Sequence, residues 1–67
     1  MIKFQISANT KKIWEYLDRK GEASLREIEE QLELQEQDAC LALGWMVYNN
    51  QVILHLKGRD LFAVIFD

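Results

Sequence analysis

Cys40 and His55 are the only thiol and the only imidazole in the chain, so they are the one nucleophile–base pair available to a Cys/His scheme. Such chemistry would also need an acid to orient the imidazole and a loop to hold a substrate. No Gly-rich stretch or motif supplies either. The expected roles are plainer: Cys40 is a small hydrophobe at the edge of an apolar stripe, and His55 is half-buried on a strand. One His and one Cys cannot close a structural zinc site, which takes four ligands. Glu27, Glu29, Glu30, Glu33, Glu36 and Asp38 gather in one stretch. They lack the spacing and central Gly of a calcium loop, and read as a solvated helix face. No enzyme activity, metal, cofactor or small-molecule substrate is expected.

What remains is the chemistry of contact. From Glu27 to Leu56 the chain has no Lys or Arg, and its formal net charge is −3. That balance argues against bulk electrostatic attraction to nucleic acid. The cations sit elsewhere, at Lys3, Lys11, Lys12, Arg19, Lys20, Arg26, Lys57 and Arg59. Inside the stretch without bases, Leu41, Trp45 and Tyr48 recur at i, i+4 and i+7, with Gly44 beside them, which is the spacing of one side of a helix.

These residues must be positioned by short elements, because the chain has no proline, repeat or linker. Ile2, Phe4 and Ile6 alternate with Lys3, Gln5 and Ser7, which predicts a short N-terminal strand. Ser7 or Asn9 then caps a helix with Ile13, Trp14 and Leu17 on one face, ended by Lys20-Gly21. Ser24-Leu25-Arg26-Glu27 is a capping box opening a second helix that lines up Leu25, Ile28 and Leu32. After Glu33-Leu34-Gln35 a third helix begins with a weak cap at Gln35, turns Ala39, Leu43, Met46 and Val47 inward, and ends at Asn49-Asn50. Two apolar runs then flank Lys57-Gly58-Arg59-Asp60. A Gly58-Arg59 loop fits a type II′ hairpin and pairs Lys57 with Asp60, Leu56 with Leu61, Leu54 with Ala63 and Val52 with Ile65. Those last six form one apolar face, a lid for the helices.

The order of strand, three helices and hairpin predicts an α+β winged helix over residues 1–67, a single domain. At 67 residues the core is modest, even with 49% apolar residues, and a single Cys excludes an intrachain disulfide. Association is the remaining source of extra stability. The N-terminus has no signal-peptide pattern and no run is long enough for a membrane helix, so the expected setting is cytoplasmic.

The residues Ile13-Trp14 with Leu17, Gly21-Glu22-Ala23-Ser24, and Leu41-Ala42-Leu43-Gly44-Trp45-Met46 resemble a small family of stand-alone prokaryotic winged helix-turn-helix proteins of unknown function. The likeness runs from about Ile6 to Phe66. It implies the fold and brings no activity or ligand with it. Relatives in that family often cap the third helix with Ser and carry an Arg-Glu pair near its end. Gln35 and Tyr48-Asn49 depart from this pattern.

In a DNA-reading winged helix the outer side of the third helix enters the major groove with polar or basic side chains. Here it offers Leu41, Gly44, Trp45 and Tyr48, none suited to a bidentate base contact, and the acids nearby repel phosphate. The expectation is a protein-contact surface, most simply of a homodimer, with the alternative that the wing or N-terminal strand folds over these residues as core. The second hairpin face, with Ile53, Phe62, Val64 and Phe66 and with His55 across from Phe62, is expected to be covered by the N-terminal strand or by a neighbouring chain. Lys11, Lys12, Lys57 and Arg59 are the candidate phosphate contacts for the competing reading, a DNA-binding regulator.

Overall fold

Neither proline nor glycine interrupts the chain before Gly21, and residues 2–20 become one helix. The computed structural model describes residues 2–66, and the side chains of residues 5–66. Helix α1 spans Ile2–Lys20, so the expected N-terminal strand is a correction, and Ser7 and Asn9 lie inside the helix rather than capping it. The reason is spacing. Ile6, Thr10, Ile13 and Leu17 repeat at three and four residues, which carries the helical face back through the alternating stretch. The expected contacts of Ile2 and Phe4 lie outside the described side chains. On the buried face of α1, Ile13 and Leu17 are joined by Tyr16, whereas Trp14, expected there, is 39% exposed.

Gly21 ends α1 with φ 90°, a left-handed conformation, and its N–H reaches the Leu17 carbonyl at 2.7 Å. Strand β1 follows at Glu22–Ser24, and helix α2 at Leu25–Leu32. Ser24 Oγ accepts the Glu27 N–H at 3.1 Å, the first half of the capping box. The second half does not form. Ser24 is held in the sheet opposite Phe62, and the Glu27 carboxylate instead accepts the Tyr16 hydroxyl and lies 3.8 Å from Lys20 Nζ.

Helix α3 spans Glu36–Tyr48, and Gln35 makes no side-chain cap. Its inward face is Ala39, Ala42, Leu43 and Met46. Val47, expected inward, is 40% exposed, because the buried arc centres one step back on Ala42. Asn49 closes the helix through Nδ2 on the Trp45 carbonyl at 2.9 Å.

Strands β2 (Val52–Lys57) and β3 (Asp60–Ile65) pair in the register read from the hairpin, including Lys57 opposite Asp60 and Val52 opposite Ile65. Gly58 has φ 64° and Arg59 has no positive φ, the combination a type II′ turn requires. The sheet order is β1-β3-β2, all antiparallel, so β1 fills the free edge of the hairpin. Val52, Ala63 and Ala23 are buried on the inner face, with Leu54 and Ile65 packed against the core. Leu56 is 71% exposed, since the wing tip runs past the helices and the lid ends before it. Ile13, Leu17, Ile28, Leu43 and Met46 fill the centre, so α1, α2, α3 and the sheet share one core.

Candidate functional site

The pitch of α3 that buries Ala39, Ala42, Leu43 and Met46 turns the opposite side out. Leu41 is 51% exposed, Trp45 52% and Tyr48 79%. Among the described residues nothing folds over them, so the wing does not cover this face and the three side chains are not core. Trp45 and Tyr48, one turn apart, stack with ring centroids 6.0 Å apart and planes at 29°. Half-buried Ile6 of α1 and Cys40 line a shallow apolar hollow together with Leu41, Gly44, Trp45 and Tyr48. Ile6 therefore belongs beside α3, not on the wing. An adjoining groove, still mostly apolar through Ile6, Cys40 and Leu41, adds the polar side chains Gln5, Asn9, Gln37 and Asp38.

The outer face of the sheet is closed differently. Glu22 on β1 reaches across the middle strand to β2. Its Oε2 lies 2.7 Å from His55 Nε2, and its Oε1 accepts from Lys57 Nζ at 2.6 Å. Lys57 Nζ stands 4.8 Å from the centroid of the Phe62 ring, and His55 lies 6.0 Å from the same ring. Phe62 is thus half-covered within the chain by Lys57 and His55 rather than by an N-terminal strand, while Ile53 stays 45% exposed, Phe66 is exposed at 51% and Val64 is half-buried. The hydrogen bond from Lys57, then that from His55, hold the Glu22 carboxyl below its usual range against the opposing effect of desolvation.

The expected cationic set is dispersed. Lys11 lies with Trp14 and Gln51 near the end of α3. Arg59 lies with Arg26, Glu29 and Glu36 at the α2 side, and Lys57 is engaged by Glu22. Lys12 is exposed on α1. Catalytic geometry is lacking at the two reactive residues. Burial of the sulfur, then Glu36 and Glu29, push the Cys40 thiol up, away from the reactive thiolate. The imidazole of His55 is committed to Glu22. Among the described residues no three His, Cys, Asp or Glu side chains converge as a metal site, and no helix is long and apolar enough to cross a membrane.

A family model described as a winged helix-turn-helix domain (DUF2582) matches residues 1–64, nearly the whole chain. The chain belongs to that family. No curated protein matches it. This winged helix-turn-helix domain has its wing at β2–β3 and, in α3, the helix that fills the reading position of the fold. Strand β1 and two side-chain ties escaped the sequence reading. The Glu22 clasp was hidden because Glu22 and Lys57 are far apart in the chain, although Glu22-Ala23-Ser24 does alternate polar and apolar before a cap. The Tyr16–Glu27 tie was hidden because Glu27 was assigned to the capping box.

Proposed function

We propose that this domain is a non-enzymatic protein-contact module whose α3 outer face mediates self-association. The observation that carries the reading is the open cluster of Leu41, Trp45 and Tyr48 on a helix that is also apolar inward. A helix apolar on two sides is normally buried on both, and exposed aromatics in a patch are the usual anchors of an interface. The wing contributes through Ile53 and Val64, while Phe62 is already occupied beneath Lys57 and His55. DNA contact is the competing reading, because winged helices often bind DNA. Function belongs to the site rather than the fold, however, and this α3 carries acids in its first turn and no base in its last.

Sedimentation equilibrium of the wild type and of Trp45→Glu, with far-ultraviolet circular dichroism of both, tests the reading. The expected result is a wild-type dimer and a folded monomeric variant. A wild-type chain that stays monomeric at several hundred micromolar, or a variant that associates as well as the wild type, overturns it.

A further inference from the structure

Resting on that self-association reading, we infer that two copies pack α3 against α3 about a two-fold axis, antiparallel, with the helices crossing at Gly44. Gly44 is the starting point. It sits in the middle of α3 with ordinary helical backbone, and a Cβ built there meets nothing within 4 Å. A glycine weakens a helix interior, and nothing inside this fold requires one at that position. What a missing Cβ permits on an open helix face is close approach of another backbone. Leu41, Trp45 and Tyr48 surround the gap and supply the apolar contacts, and none of them is charged, so the face suits a copy of itself.

Charge selects the direction. The first turn of α3 holds Glu36 and Asp38, and Lys11 lies by Gln51 just beyond the other end. A parallel pair would set acids against acids. An antiparallel two-fold pair puts the α1 side of each copy against the α1 side of the other. Asp38 and its neighbouring groove residue Asn9 then approach the Lys11 end of the second copy. Area points the same way. A standard interface takes about 800 Å² per partner, while the chain exposes 4967 Å² in all. A helix of 13 residues is about 20 Å long and about 10 Å wide, too small a face alone. The flanking start of α1, with Ile6, must join it, and the antiparallel arrangement brings in both copies of that flank.

The crossing is tested by disulfide formation under mild oxidation, with sedimentation equilibrium alongside. A disulfide needs Cα atoms about 4 to 7 Å apart. In the inferred dimer the two Cys40 residues lie on opposite sides of the crossing, about 12 Å apart along the helices. The wild type is therefore expected to stay uncrosslinked, while Gly44→Cys in a Cys40→Ser background becomes a covalent dimer. Gly44→Ala gives a second readout of opposite signs: a higher melting temperature under dilute, monomeric conditions, and dimerisation weakened at least tenfold. Circular dichroism checks that each variant folds. Efficient Cys40 crosslinking in the wild type overturns the antiparallel crossing. So does a dimer that Trp45→Glu dissolves but Gly44→Ala leaves unchanged and Gly44→Cys fails to crosslink. In both cases the self-association reading stands. A monomeric wild type removes that reading as well.

Discussion

Three side chains decide more than their neighbours do. Glu22 joins β1 to β2 over the strand between them, and its carboxyl is held below the ordinary 4.5 by Lys57 and His55. A depressed folded-state pKa contributes stability that is present above the unfolded value and lost as pH falls through the folded one. The melting temperature of the wild type should therefore exceed that of Glu22→Gln at neutral pH, and the gap should close below the usual carboxylate range. A gap that persists unchanged at pH 3 would mean that Glu22 acts by packing alone. Tyr16 shows the reverse sign. Its hydroxyl donates to Glu27, and that hydrogen bond, with burial and the nearby negative charge, raises its pKa above 10.0. The neutral phenol is what the fold favours, so this contribution is present below the ordinary tyrosine range and is lost only as pH rises through the raised value. Glu33 is a third case, a non-glycine residue at φ 54° where α2 ends. Its N–H meets the Glu29 carbonyl, so the left-handed turn is fixed and the side chain carries the strain. Glu33→Gly should raise stability by up to about 1 kcal/mol in urea unfolding, the steric relief outweighing the added chain entropy.

Among the elements, those governed by neighbours in sequence were legible and those governed by distant partners were not. Gly58 with two flanking apolar runs fixed the hairpin to the residue, because a two-residue loop leaves one register. Ser24 marked the start of α2 for the same local reason. The alternation at Ile2, Phe4 and Ile6 misled, since the three- and four-residue spacing of Ile6, Thr10, Ile13 and Leu17 carries the helix through that stretch, while Glu22–Ser24 supplies the third strand on β3. Val47 was misplaced by one step of the helix, which a period of 3.6 with apolar residues on both sides of α3 does not resolve. The outer side of α3 was legible in residue type and spacing, as was most of the inward set. What the sequence left open was whether the wing or the N-terminal stretch covers that side, because such cover depends on contacts far apart in the chain. The shared core gives the element-scale prediction. Ile28 of α2 is fully buried against α1, α3 and the sheet. Ile28→Ala should cost about 2–5 kcal/mol by denaturant unfolding, a large part of the stability of so small a domain. A cost under about 1 kcal/mol would mean that α2 packs loosely and does not hold the others.

For the molecule as a whole, the question is whether fold or surface governs the partner. A winged helix presents α3 and the wing together, and in a DNA reader both would be rich in cations. Here the cations are divided: Lys11 and Lys12 on α1, Arg59 beside Glu29 and Glu36, and Lys57 neutralised by Glu22 at 2.6 Å. A net charge of −3 adds a repulsion from phosphate that grows as salt falls. Counterion release gives non-specific binders a Kd of about 10⁻⁴ to 10⁻⁶ M at physiological salt, tighter still at low salt, with a steep salt slope. Titration onto a mixed-sequence labelled duplex at low salt should accordingly show no binding in that range. Binding with a steep slope, abolished by Lys57→Glu with Arg59→Glu, would mean that the wing tip overcomes the acidic balance. The α3 face would then have to serve as a dimer contact within a DNA-bound pair, and Trp45→Glu should weaken duplex affinity without touching a single cation.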